Sequence, residues 1–327
     1  MLKVIINIHD HKSSHVPNSS PAIAGGRIYV GSCDDKVYCL NATTGVSIWN
    51  YTTGGYVQSS PAVAGNRIYV GSNDNKTYCL NAITGARVWS YTTGGIVWSS
   101  PAVAGGRVYV GSRDDKMYCL NATTGASVWN RTTGGSVDSS PAIVSGFLYV
   151  GSYDNNGTMY CLNATTGASV WTYTTGGMVE LSPAVVGGRV YVGNYNYKVF
   201  CLDAITGTKI WSHTTATPGE FGLFQSSPAI ASGRVYIGSW DGKLFCLDAT
   251  TGVSLWNYTT GFNVDSSPAI AGGHVYVGSN DRKVYCLPMI IGSNQSTPFD
   301  CSTFSILIVI GIAGLVAWTW KKNITKS

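Results

Sequence analysis

The sequence predicts an all-β fold, a seven-bladed β-propeller of four-stranded repeats, and three observations carry that prediction. One unit, stated in full as SSPAVAGGRVYVGSRDDKMYCLNATTGASVWNRTTGG from Ser99 to Gly135, is written seven times across residues 19–287. Its Ser-Pro proline falls at Pro21, Pro61, Pro101, Pro141, Pro183, Pro228 and Pro268, a period of 40 residues with two longer intervals of 42 and 45. A fixed period in this range marks a solenoid or a propeller. Each unit also reads as four short β-rich runs punctuated by Gly and Asp, with no apolar repeat of 3.6 residues long enough for a helix.

The elements follow in order within the unit. A first run at Ala102-Val-Ala104 stops at Gly105-Gly106, and Arg107-Val-Tyr-Val-Gly111 follows it. A turn at Asp114-Asp115 leads into Lys116-Met-Tyr-Cys-Leu120, and Thr123-Thr-Gly125 then turns the chain into Ala126-Ser-Val-Trp129. Four strands in 40 residues make one propeller blade, a small sheet sandwiched between two others with short, protected edges. That sandwich explains why the third run is apolar on both faces, as in Val37-Tyr-Cys-Leu40.

The segment Leu120-Asn-Ala-Thr-Thr-Gly-Ala-Ser-Val-Trp129 resembles the tryptophan-docking motif of the PQQ-like repeat, Leu-Asp-Ala-x-Thr-Gly-x-x-x-Trp. The motif recurs with Trp49, Trp89, Trp129, Trp171, Trp211 and Trp256, and the family's Asp stands at Asp203 and Asp248. The Gly-His and Trp-Asp signatures of WD repeats do not recur from copy to copy, and kelch repeats have a longer period. The resemblance covers nearly all of residues 19–287 and implies that the second-to-third-strand loops share one face with the connections between blades.

The chain ends read differently from the repeats. The seventh copy stops after Val284-Tyr-Cys-Leu287 and meets Pro288, so it lacks a fourth strand of its own. Counting back from Pro21 aligns Ile6-Asn-Ile8-His9 with Val46-Ser-Ile48-Trp49, so Lys3 to Ile8 within residues 1–18 is expected to close the ring. A linker at 288–302 leads to an apolar stretch at 303–321 that ends in Trp318 and Trp320, and a short basic tail, 322–327, follows. That stretch is just long enough for one transmembrane helix, with Trp and Lys marking its boundary. The positive-inside bias puts the C-terminus in the cytoplasm and the propeller outside. The alternative is a tail-anchored protein with a cytoplasmic propeller, because Val4-Ile-Ile-Asn7-Ile8 is too short for a secretory signal.

Composition narrows the function classes. Charged residues are 11% of the chain and the net charge is +5, of which Lys321, Lys322 and Lys326 in the tail contribute three. The remaining cations are spread one by one, as at Arg27, Lys36, Arg67 and Lys76, which argues against nucleic acid as a partner. His9, Asp10, His11 and His15 match no standard metal-ligand spacing, so no metal site is expected. Cys39, Cys79, Cys119, Cys161, Cys201, Cys246 and Cys286 occupy one equivalent position and read as small core residues rather than a disulfide framework.

Asn-x-Ser/Thr tripeptides make Asn41, Asn50, Asn75, Asn121, Asn130, Asn156, Asn163, Asn257 and Asn294 glycosylation candidates. Asn18 and Asn323 carry the tripeptide in disfavoured contexts. The competing reading is that Asn merely replaces a turn Asp and was multiplied with the repeat.

Comparison among the copies locates the specialised positions. The Ala-Gly-Gly-Arg and Asn-Ala-Thr-Thr-Gly turns scarcely change, whereas the residue after Gly-Ser or Gly-Asn is Cys33, Asn73, Arg113, Tyr153, Tyr195, Trp240 and Asn280. Shortly before the later Ser-Pro steps stand Gln58, Trp98, Asp138, Glu180, Gln225 and Asp265. Both insertions, within Tyr153 to Gly157 and within Ala216 to Phe224, fall on that same face, as insertions on a binding face do. Trp98, Arg113, Tyr153, Phe221 and Trp240 are types that anchor interfaces, so they are the candidate partner-binding residues. The competing explanation is drift of surface turns.

The expected function is therefore that of a membrane-anchored, non-enzymatic propeller at the cell surface, binding a protein or a glycan and needing no cofactor. Resemblance to quinoprotein dehydrogenases implies pyrroloquinoline quinone, calcium, an adjacent-cysteine disulfide ring, a catalytic Asp and eight blades. No Cys-Cys pair occurs here and the copies number seven, so that enzyme is an alternative. A scaffold like the outer-membrane assembly lipoprotein built from similar repeats implies a lipidated N-terminal Cys, which Met1 is not.

Overall fold

The computed structural model describes residues 19–215 and 226–289. The expected closing strand at Lys3 to Ile8, the transmembrane helix at 303–321, the basic tail and the candidates Phe221 and Asn294 lie outside the described residues. Among the described residues every element is a strand, and no helix is long and apolar enough to cross a membrane.

Among the described residues the strands form seven antiparallel sheets in simple sequential order, six of four strands and a seventh of three. In the first blade the strands are Ala22–Ala24, Arg27–Gly31, Lys36–Asn41 and Ser47–Thr52. Among the described residues the seventh blade has three strands, Ala269–Ala271, His274–Ser279 and Lys283–Pro288.

Register sets one row of side chains across the middle of each blade. Tyr29 faces Cys39 and Cys39 faces Trp49, and the same row recurs as Tyr69, Cys79, Trp89 in the second blade. A bulge follows at Cys39/Leu40, where the third and fourth strands shift register. The rows are the blade cores, and residues of successive blades form common apolar clusters: Val37 and Cys39 pack with Ile68, Val70 and Leu80, and the pattern steps on to the seventh blade. Six of the series cysteines are free and buried, and burial pushes the Cys39 thiol up to about 11, so these are inert core atoms. Cys286 departs from the expectation of seven core thiols, because it is disulfide-bonded.

Three devices repeat between blades. Trp49 and Tyr29 both donate to the Ala82 carbonyl in the turn of the next blade, at 3.3 and 3.1 Å. Gly85 of that turn has φ +74°, and a Cβ there would lie 2.7 Å from the Trp49 ring, so the constant Thr-Gly is a seat for the preceding tryptophan. Just before the first strand of each blade, the Ser20 amide donates to Ser60 Oγ and the Ser60 amide to Ser100 Oγ, both at 2.9 Å, and the ladder continues to Ser267.

Candidate functional site

The variable residues do share one face. Among the described residues backbone bonds stitch five second-to-third-strand hairpins to the connections entering their blades: Asn73 N–H donates to Tyr56 O at 2.8 Å, Arg113 to Ile96 at 2.9 Å, Tyr153 to Ser136 at 2.7 Å, Tyr195 to Met178 at 3.0 Å and Asn280 to Asn263 at 2.9 Å. Under them lies a fixed support, in which Asp74 accepts from the Gly54 amide at 2.9 Å and the Tyr78 hydroxyl at 2.5 Å. The hairpin tip also needs left-handed backbone, which Asn75 supplies at φ 66° and Asp115 at φ 65°.

Hairpin and connection residues then meet in groups on this face, some within one blade and some across to the next. Trp98 donates its indole N–H to Asn73 Oδ1 at 2.8 Å, and the Arg113 guanidinium stacks 3.2 Å from the centre of the Trp98 ring. Arg113 grips Asp138 with Nε and Nη2, at 3.0 and 2.9 Å. The Asp138 side chain is only 3% exposed and that of Arg113 35%, so the pair is screened on one side and open on the other.

Next along the face, the Tyr195 hydroxyl donates to Glu180, and the Tyr195 and Tyr153 rings meet edge to face with centroids 5.7 Å apart. Burial pushes the Glu180 carboxyl up to about 7; the Asp138 charge adds to the rise and Arg113 opposes it. Across the face, Asn280 donates to Asp265 at 2.6 Å. The Asn263 amide, oriented by its neighbours, accepts from the Trp240 indole at 2.7 Å and donates to the Trp240 carbonyl at 2.6 Å. Burial raises Asp265 as well.

Of the five predicted anchors, Trp98 and Arg113 are brought into direct contact, Tyr153 sits in the next cluster, Trp240 belongs to a separate one, and Phe221 is outside the described residues. Trp98 and Trp240 are half-buried and hydrogen-bonded, so they brace the face as well as line it. Asp138, Glu180 and Tyr195 complete the first group, and Asn263 enters the second unannounced. Two large apolar residues on this face were missed, Tyr56 at 45% and Phe262 at 58% exposed. Phe262 had a signal, because it stands where other copies carry the second Gly of Thr-Thr-Gly-Gly. Among the described residues no three His, Cys, Asp or Glu side chains converge as a metal site.

On the opposite face the constant text has a structural cause. Asn41 Oδ1 accepts from the amides of Thr43 and Thr44, both at 2.8 Å, and Asp203 and Asp248 do the same in their blades. Those turns also carry the glycine seat and the carbonyl that receives Trp and Tyr, so folding alone holds their sequence.

Repeated four-stranded blades around a ring, with one stitched and divergent loop face, define a β-propeller of the repeat-built class. The chain belongs to the PQQ-like β-propeller repeat family, matching the family described as outer membrane protein assembly factor BamB over residues 8–100 and 90–295. Solved structures agree in fold. BamB from Moraxella catarrhalis is 21% identical, with 81% of this chain and 82% of that one covered and a TM-score of 0.70. A europium-containing methanol dehydrogenase is 15% identical over 81% of this chain and 72% of its own, with a TM-score of 0.64. The computationally designed Ika8 protein, 15% identical over 83% and 96%, has a TM-score of 0.53. No curated protein matches the sequence.

Proposed function

We propose that this protein is a non-enzymatic binding propeller, anchored in a membrane by 303–321 with the propeller outside the cell and the C-terminus in the cytoplasm, and that it engages a protein or glycan through the variable loop face. One observation carries the reading. The opposite hairpins are constant because they seat the tryptophans, whereas the side chains of the loop face contact chiefly one another and differ from blade to blade. The fold supplies the platform and leaves those residues free to specialise. Aromatic and Arg side chains presented on a rigid, hydrogen-bonded base match what protein and carbohydrate interfaces use as anchors.

The test is a screen of the propeller against surface proteins and glycans of its own cell, followed by two sets of variants on whatever binds. Alanine at Trp98, Arg113, Tyr153, Phe221 or Trp240 is expected to weaken binding by about 2 kcal/mol where the residue is central. Alanine at Thr44 or Thr124 is expected to leave binding intact. Equal losses from both sets would show that the wrong face was chosen.

The family match favours a second reading, a scaffold for assembly of other membrane proteins. Co-purification of membrane-protein precursors, rather than mature surface partners or glycans, would select it.

A further inference from the structure

The asparagine tripeptides fall into structurally distinct groups. Asn41, Asn121 and Asn163 each cap a turn, their Oδ1 accepting from two following amides. Asn81 caps its turn in the same way although Ile83 breaks the tripeptide, and Asp203 and Asp248 do it with no amide at all. The tripeptide in those hairpins is thus a by-product of turn chemistry.

Asn50, Asn130 and Asn257 are different. They lie on the outermost strands Ser47–Thr52, Ser127–Thr132 and Ser254–Thr259, paired with Tyr38, Tyr118 and Phe245. All three are exposed, as are Thr52, Thr132 and Thr259 two residues on. The same position holds Ser90, Thr172 and Ser212 in other blades, so the fold does not demand an amide. Beside them the rim carries exposed apolar side chains, Ile48 and Val128 at 43% and Leu255 at 44%. An open strand edge with apolar neighbours is a site for unwanted pairing unless something covers it.

We propose that Asn50, Asn130 and Asn257 are N-glycosylation acceptors, placing three glycans on the rim of the propeller, away from both loop faces. The assignment rests on the reading that the propeller faces outside the cell. In the reaction Nδ2 of each asparagine attacks the anomeric carbon of an oligosaccharide linked to a lipid diphosphate. The N–C bond forms, the C–O bond to the diphosphate breaks, the amide gives up one proton, and the lipid diphosphate leaves with the electron pair. Bulky, hydrated chains at these points shield the strand edges and the neighbouring apolar side chains while the variable face stays open to its partner.

The experiment has two arms. In the first, the full chain carrying an added cleavable leader is synthesised with glycosylating microsomes and its glycopeptides are read by mass spectrometry. Glycan is expected on all three rim asparagines, and N50Q, N130Q and N257Q are each expected to remove one mobility step without loss of folding. Unmodified rim peptides, or glycan confined to the hairpin asparagines, would overturn the assignment. In the second arm the protein is isolated from its own cells. Glycan on the rim supports the proposal; glycan elsewhere but never on the rim sinks the acceptor assignment and leaves the topology standing. Modified rim sites in microsomes with no glycan anywhere on the native protein would instead refute the extracellular topology.

Discussion

Arg113 lies with its guanidinium 3.2 Å from the centre of the Trp98 ring while holding the Asp138 carboxylate through two nitrogens. Trp98 belongs to the connection entering the third blade, Arg113 to a hairpin of that blade, and Asp138 to the connection entering the fourth. One arginine therefore ties three successive segments of the loop face. A cation over an indole contributes about 0.5–2 kcal/mol according to how far it is desolvated.

Arg113→Ala is expected to destabilise the propeller by about 2 kcal/mol, chiefly because Asp138, 3% exposed, is left charged without its partner. Adding Asp138→Asn should recover part of that loss, and Arg113→Lys should fall between, since lysine lacks the flat fork. Urea denaturation of the single and double variants checks it, and additive losses would contradict the pairing.

Stability is expected to decline as pH rises from about 5 to about 8. The Glu180 carboxyl is raised to about 7 by burial, so between its unfolded value and 7 the folded chain holds the extra proton. The penalty for ionising it is absent at low pH and complete above the folded value, where it amounts to at most about 3 kcal/mol. Glu180→Gln should flatten this window and raise the neutral-pH melting temperature. A wild-type melting profile that is flat between pH 5 and 8 would count against the buried carboxyl.

Two glycines with similar backbone angles should respond differently to alanine. Gly65, φ +58°, has open space where a Cβ would go, so Gly65→Ala should cost about 1 kcal/mol for left-handed backbone alone. Gly85, φ +74°, would place that Cβ 2.7 Å from the Trp49 ring, and Gly85→Ala should cost about 3 kcal/mol. Thermal unfolding of both variants tests whether the turn is a seat for tryptophan.

The seventh blade leaves Val284 61% exposed, whereas the matching Val37, Met117 and Leu244 are fully buried. Removing residues 1–18 is expected to lower the melting temperature by about 5 °C or more if this segment supplies the missing strand. An unchanged melting temperature would assign the closure of that sheet to something else.

Seven copies of one sentence determined the number of blades, the strand order within each and the shared core position of the cysteines, because every blade must bury the same two faces against neighbours that repeat the same pattern. Internal comparison also separated constant turns from variable loops, and the family resemblance grouped those loops on one face. It could not say why the constant face is constant: Gly85 reads as a turn residue until the Trp49 ring is found lying on it from another blade. Nor could it turn a roster of variable residues into contacts. Trp98 reaches Asn73, Arg113 reaches Asp138, Tyr195 reaches Glu180, and burial together with the Asp138 charge presses Glu180 toward neutrality, across 15 to 42 residues of chain. Such partners meet only because adjoining blades set their loops side by side, and burial and charge at those junctions depend on both blades at once. Local pattern governs the blade; the junction between blades governs the site.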